Sequence, residues 1–399
     1  MHQTLRREMG LGGAIVTGLG SILGTGAFVA IGVAAGMWGD AVLLAVPLAG
    51  AVAVFNGLSS AYLAGHFPVA GGTYEYGYQT LGPWWGFTAG WLFLLAKTAS
   101  AATAALGVAL YLGLNWDRRV VAAIAVAVVT GLVMAGLRRT VVVNTLLVTV
   151  TVLAIIGFGI AGLLDGTADT PLGAGLSLEG LLPATAFLFV AYTGYGRIAT
   201  LGEEVRNPER IIPRAVIVTL AVAVVLYAIV ELGGRAAEGP EWGDVLDDGL
   251  SPAQLVSGPI SKVWTIGAVT AMLGALLNLV LGLSRVWLAM GRRDDMPAGL
   301  AVLDSRSTPV AAVVTAAVPV AVIALIGDIS LAWSYSAFNV LLYYGLTNLS
   351  ALALDRRRWT AWLGLGTCVF LSFFVPLPVW LTGTALIIVG LIWKRQRRD

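Results

Sequence analysis

From residue 10 to residue 393 the chain is a succession of apolar runs joined by short polar connections. Read with a window of about 19 residues, it divides into twelve segments: 10–36, 40–65, 83–113, 119–136, 140–164, 181–202, 212–234, 259–290, 309–327, 329–354, 359–375 and 378–393. Runs of this length cross a bilayer as helices, because a helix satisfies every backbone polar group internally. The pattern predicts an all-α integral membrane protein with no segment left for a soluble domain. Hydrophobic residues make up 58% of the 399 and charged residues only 12%, which agrees.

Two of the runs are broken. Gly24-Thr25-Gly26 interrupts 10–36, and Tyr192-Thr193-Gly194-Tyr195-Gly196 interrupts 181–202. Glycine weakens a helix, and backbone released at bilayer depth is tolerated only where protein or a wet cavity satisfies it. Paired breaks at corresponding positions point to the substrate site of a secondary transporter. The alternative, that these glycines serve only close helix packing, explains each singly but not their matched clustering.

The halves repeat. A shift of 170 residues carries Gly24 onto Gly194 and Gly26 onto Gly196, and a shift near 190 carries the fourth and fifth segments onto the ninth and tenth. Five helices separate the repeats, so the second starts from the opposite side of the membrane and is inverted. The expected organisation is residues 1–164 as the first repeat, 181–354 as the second, and 355–399 as helices 11 and 12 with a short tail.

Charge sets the expected orientation. Of 24 Lys and Arg residues, only Arg118, Arg119, Arg235 and Lys262 fall on the loops opposite the N-terminus, and Lys97, Arg197 and Arg285 lie inside apolar segments. The rest share one side, so both termini are expected in the cytoplasm. The first segment is too long for a cleaved signal and is read as a retained helix. The single cysteine, Cys368, and two histidines, His2 and His66, leave no plausible disulfide framework or metal cluster. No basic stripe suggests nucleic acid, and Gly18-x-Gly20-x3-Gly24 lacks the strand and βαβ unit that a nucleotide loop needs. No prosthetic cofactor and no obligate protein partner are expected, and no set of residues suggests an enzyme.

Four strings, GLGSILGTGAF (18–28), FPVAGGTYEYGYQTLGPWWGFTAGW (67–91), FVAYTGYGRIATLGEEVRNPERIIPRA (189–215) and SRVWLAMGRRDDMP (284–297), resemble bacterial amino-acid permeases of the amino acid–polyamine–organocation superfamily. The resemblance covers helices 1 to 10 in order. It implies the five-plus-five inverted repeat shared with sodium-coupled leucine transporters, discontinuous helices 1 and 6, alternating access, and an α-amino acid held between those helices. The half-helix after the first break offers N–H groups to a carboxylate, with Gly24, Thr25 and Gly26 at the site. By resemblance, the carbonyls of Val190, Ala191, Thr193 and Ile22 take the ammonium, and Gly194 completes the second break.

Other polar residues bear on coupling and gating. Lys97 and Arg197 lie inside apolar segments, where ionisable groups are costly and usually functional. A lysine there can exchange its proton as its surroundings change. Many sodium-independent relatives carry a lysine on helix 5, and the matching position here is Thr151, whose hydroxyl keeps a sodium site open. Proton coupling or exchange is the expectation, with sodium the alternative ion. Cationic-substrate relatives tend to carry a carboxylate where this chain has Ala96, which argues against arginine, lysine or polyamines. Arg197 either stands near the site or pairs with Glu203 or Glu204; those two glutamates form intracellular gate pairs or are solvated helix-end charges. Arg285 is read as structural and Glu75 as a gate-side charge. The expected protein is a secondary amino-acid transporter of the bacterial inner membrane; a sensing receptor on the same fold and a sodium-coupled amino-acid or polyamine transporter are the alternatives.

Overall fold

The computed structural model describes residues 9–67, 72–135, 141–166, 178–199, 205–240, 242–246, 251–304 and 308–397. Helices occupy all twelve apolar segments. In chain order they are α1 (Leu11–Ile22), α2 (Ile31–Trp38), α3 (Ala41–His66), α4 (Thr73–Thr80), α5 (Pro83–Leu112), α6 (Arg118–Met134), α7 (Val141–Asp165), α8 (Leu178–Tyr192), α9 (Gly196–Ala199), α10 (Pro208–Glu238), α11 (Gly258–Arg292), α12 (Val310–Ile326), α13 (Ile329–Leu354), α14 (Trp359–Ser372) and α15 (Leu377–Gln396). Among the described residues, seven are long and apolar enough to cross a membrane unaided, and the bent pair from Leu11 to Trp38 makes an eighth; α12 and α14 are shorter apolar helices.

Local chemistry sets many of the ends. Pro83 and Pro208 open α5 and α10 at the position where a missing N–H costs nothing. Asp117 and Asp328 cap α6 and α13 by accepting the N–H groups of Arg119 and Leu331, each at 2.8 Å. Gly113 and Gly327 end α5 and α12 with φ of 56° and 83°, a left-handed conformation that favours glycine.

Of the seven long helices, α5 is the most enclosed and α15 the least. The middle of α5 is almost continuously small, with Ala99, Ala101, Ala102, Ala104 and Ala105 all fully buried. Small residues let α11 and α13 approach it closely, which is how helices associate where lipid removes the hydrophobic drive.

The two breaks differ in kind. Helix α1 stops at Ile22, Leu23 turns extended at φ −76° and ψ 99°, and the chain re-enters helix at Gly26 through a wide turn to Ala30, with a 44° bend. At the second break no residue leaves helical geometry: Thr193–Tyr195 form one turn of tighter 3₁₀ helix between α8 and α9. The first break is an interruption and the second a change of pitch, which still alters where the carbonyls point.

Candidate functional site

The two breaks meet. A Cβ on Gly26 would lie 2.6 Å from Tyr227 Oη and 2.8 Å from the Ala191 Cβ, and a Cβ on Gly194 would overlap the Ser21 carbonyl and come within 2.7 Å of the Ile22 amide nitrogen. Gly24 is less confined, its Cβ position lying 3.2 Å from the Ala275 Cβ on α11. Thus Gly26 of the first break meets Ala191, and Gly194 of the second meets Ser21 and Ile22, while Gly24 faces α11. Thr25 is buried and its side chain makes no capping hydrogen bond. Its N–H and that of Gly26 open a half-helix and have no intrahelical acceptor by position.

The carbonyls at this crossing already have donors. Tyr227 Oη, from α10, lies 2.9 Å from the Ile22 carbonyl and 3.0 Å from the Ala191 carbonyl, so one phenolic proton faces an acceptor from each break. Thr193 Oγ1 donates to the Val190 carbonyl at 2.8 Å and accepts from Lys97 Nζ at 3.0 Å. The Thr193 carbonyl accepts from Tyr344 Oη at 3.2 Å. Lys97, far away in sequence on α5, therefore stands at the second break.

The remaining expected residues lie elsewhere. Thr151 is buried on α7 and its hydroxyl donates to the Leu147 carbonyl of its own helix at 2.8 Å. The tie from α7 to α1 is instead Asn144, whose Nδ2 donates to the Val16 carbonyl at 3.2 Å. Arg197, on α9, is exposed, unlike the buried residues around Thr193. Glu203 and Glu204 lie outside the described residues.

Two further clusters of polar contacts join distant elements, and of their residues only Glu75 was singled out from the sequence. In the first, Asp295 accepts from Tyr74 Oη at 2.9 Å, from Tyr78 Oη at 2.5 Å and from Lys394 Nζ, joining α4, the segment after α11, and the last helix, α15. Burial, with the Asp295 carboxylate beside them, pushes both phenols well above the usual tyrosine range. Glu75 pairs with Arg293 at 2.5 Å in the same group. In the second, Asp40 and Arg235 form a buried ion pair, and Trp242 Nε1 donates to Glu231 at 3.1 Å. The turn Trp242–Leu246 packs onto α2 at Gly32 and Gly36. The advance signals were the strings at 67–91, which holds Tyr74, Glu75 and Tyr78, and at 284–297, which holds Arg293 and Asp295, together with the acidic residues between Glu238 and Asp248.

Membrane-length helices around one interrupted helix and one that changes pitch, in direct contact, define a polytopic integral membrane protein. The amino acid permease family matches residues 13–394, and the chain belongs to that family, within the amino acid–polyamine–organocation superfamily. It is 40% identical to a protein named as an uncharacterized transporter of Mycobacterium tuberculosis, over 99% of this chain and 92% of that one. It is 27% identical to a branched-chain amino acid permease of Bacillus subtilis, over 75% of this chain and 70% of that one. It is also 27% identical to the mitochondrial cationic amino acid transporter 3 of Arabidopsis thaliana, over 82% of this chain and 59% of that one.

Proposed function

We propose that this protein is a secondary amino-acid transporter of the bacterial inner membrane that holds a substrate zwitterion between its two breaks and works by alternating access. The observation that carries the reading is the meeting of Gly26 with Ala191, with the Ile22 and Ala191 carbonyls converging on one point. Carbonyls at the C-terminal ends of half-helices suit an ammonium group, and N–H groups at the start of the next half-helix suit a carboxylate. An α-amino acid carries both charges a few bonds apart. Relatives named for branched-chain and for cationic amino acids share that head group and differ in side chain, which supports a site defined first by the head group.

Tyr227 holds the carbonyl point with a neutral hydroxyl. A substrate ammonium is the stronger, charge-assisted donor to the same acceptors, so its arrival frees Tyr227 to move. Twelve spans in a five-plus-five inverted repeat, with residues 1–164 and 181–354 as its halves and both termini cytoplasmic, complete the reading. Asp295 with Tyr74, Tyr78 and Lys394 then closes the cytoplasmic side, while Asp40–Arg235 and the Trp242 turn close the other. For coupling, the proposal is a sodium-independent cycle in which Lys97 carries the charge that a helix 5 lysine carries in relatives.

The test is a thermal-shift panel of the twenty amino acids and several polyamines on detergent-purified protein, because a ligand that binds only the folded state raises its apparent stability. Stabilisation by one or a few amino acids is expected. No response to any amino acid would sink the proposal.

A further inference from the structure

Lys97 is handled differently from the two buried cations among the described residues. Arg235 and Lys394 are both buried, and each is given a carboxylate, Asp40 and Asp295 respectively. Among the described residues no carboxylate pairs with Lys97, and its hydrogen-bond partner is the Thr193 hydroxyl. That hydroxyl spends its own proton on the Val190 carbonyl, so it serves Lys97 as an acceptor only. An ammonium has three N–H donors, and Thr193 takes one.

Among the described residues, the neighbours of Lys97 along its own helix are uncharged. Ala96 precedes Lys97 and is fully buried, Thr98 follows it, and one turn on Ser100 is occupied with Ser336 at 2.7 Å. The aromatic groups near the break, Tyr195 and Tyr344, are phenols with ring centroids 5.1 Å apart. A charge in a low-dielectric interior is costly unless paired. Here the protein supplies part of the pairing and leaves the rest at the substrate site, two residues along from Ala191, or about 3 Å of helix rise.

We propose that Lys97 selects an amino acid with an anionic side chain, aspartate or glutamate, whose second carboxylate completes the ammonium's hydrogen bonding while the zwitterionic head group sits between Gly26 and Ala191. This rests on the head-group site proposed above. Arginine and lysine are rejected because their side-chain cation would face the Lys97 ammonium. Glutamine, isosteric with glutamate but neutral, fits and binds less tightly.

The test is calorimetric titration of L-glutamate, L-aspartate, L-glutamine, L-leucine and L-arginine into the full-length protein in detergent. The expected result is glutamate or aspartate bound about ten-fold or more tighter than glutamine, the scale of one charge-assisted hydrogen bond, with no arginine binding. Lys97→Gln should lose that margin while still binding glutamine, and Lys97→Arg should keep the acidic preference, which separates charge from fold. Wild-type protein that binds leucine or glutamine as tightly as glutamate overturns the acidic selection and leaves the head-group site standing. Protein that binds none of the five also overturns the acidic selection, and the head-group site falls with it if the thermal-shift panel of twenty amino acids gives no response.

Discussion

Gly194 lies so close to Ser21 that a methyl group on it would overlap the Ser21 carbonyl. Backbone meets backbone there, and neither side has a rotamer with which to give way. Gly194→Ala is therefore expected to destabilise the fold by about 1–3 kcal/mol, as overpacking does elsewhere. Gly24→Ala, whose Cβ meets the Ala275 methyl at 3.2 Å and the Ala271 carbonyl oxygen at 3.7 Å, should cost much less. Melting curves of the two variants in detergent check the contrast, and equal melting temperatures would contradict it.

Tyr227→Phe removes the donor shared by Ile22 and Ala191 and leaves two enclosed carbonyls without it. The ligand-free protein should lose about 1–3 kcal/mol, the usual cost of an unsatisfied buried group. Amino-acid stabilisation should then grow, because the substrate ammonium restores what the phenol gave. Thermal shifts with and without ligand measure both quantities. A variant that loses its ligand response would show instead that Tyr227 is needed for binding.

Lys394→Met strips Asp295 of its cation while leaving a buried carboxylate. Breaking one side of such a pair costs about 3–5 kcal/mol, whereas Arg395→Gln, at an exposed neighbour, should fall within about 0.5 kcal/mol. The phenols of Tyr74 and Tyr78 are raised above their unfolded value of about 10. A raised folded value means their contribution is complete below that unfolded value and is lost as pH climbs toward the folded one. Stability should hold through mildly alkaline pH and decline above about pH 10, with Tyr74→Phe shrinking the decline. A decline that starts near neutrality, or is unchanged by Tyr74→Phe, would oppose this account.

Uptake into proteoliposomes driven separately by proton and sodium gradients tests the coupling. Proton-driven, sodium-independent accumulation is expected, and Lys97→Gln should abolish the pH dependence while substrate exchange persists. Sodium-driven accumulation with unchanged pH dependence in the variant would make Lys97 a purely structural or selective residue.

What could be read in advance depended on how local the signal was. Apolar length places the helices, and glycine clustering marks both breaks, because each is written within a few consecutive residues. Lys97 stood out because a charge at membrane depth is conspicuous by itself. Tyr227 could not be singled out, since its meaning lies in carbonyls 205 and 36 positions away. Asp295 with Lys394, and Asn144 with Val16, are likewise products of packing between distant helices. The 3₁₀ form of the second break also escaped the sequence, because the tyrosines that flank it favour no particular helical pitch.

The head-group site between the breaks is tested most directly at Gly26, where a methyl group would come within 2.6 Å of Tyr227 Oη and 2.8 Å of the Ala191 Cβ. Thermal shifts with the twenty amino acids should be compared between wild type and Gly26→Ala, with helical circular dichroism and gel filtration confirming that both are folded. The account predicts stabilisation of the wild type by its substrate and none of the variant. The same ligand-induced shift in both would contradict it.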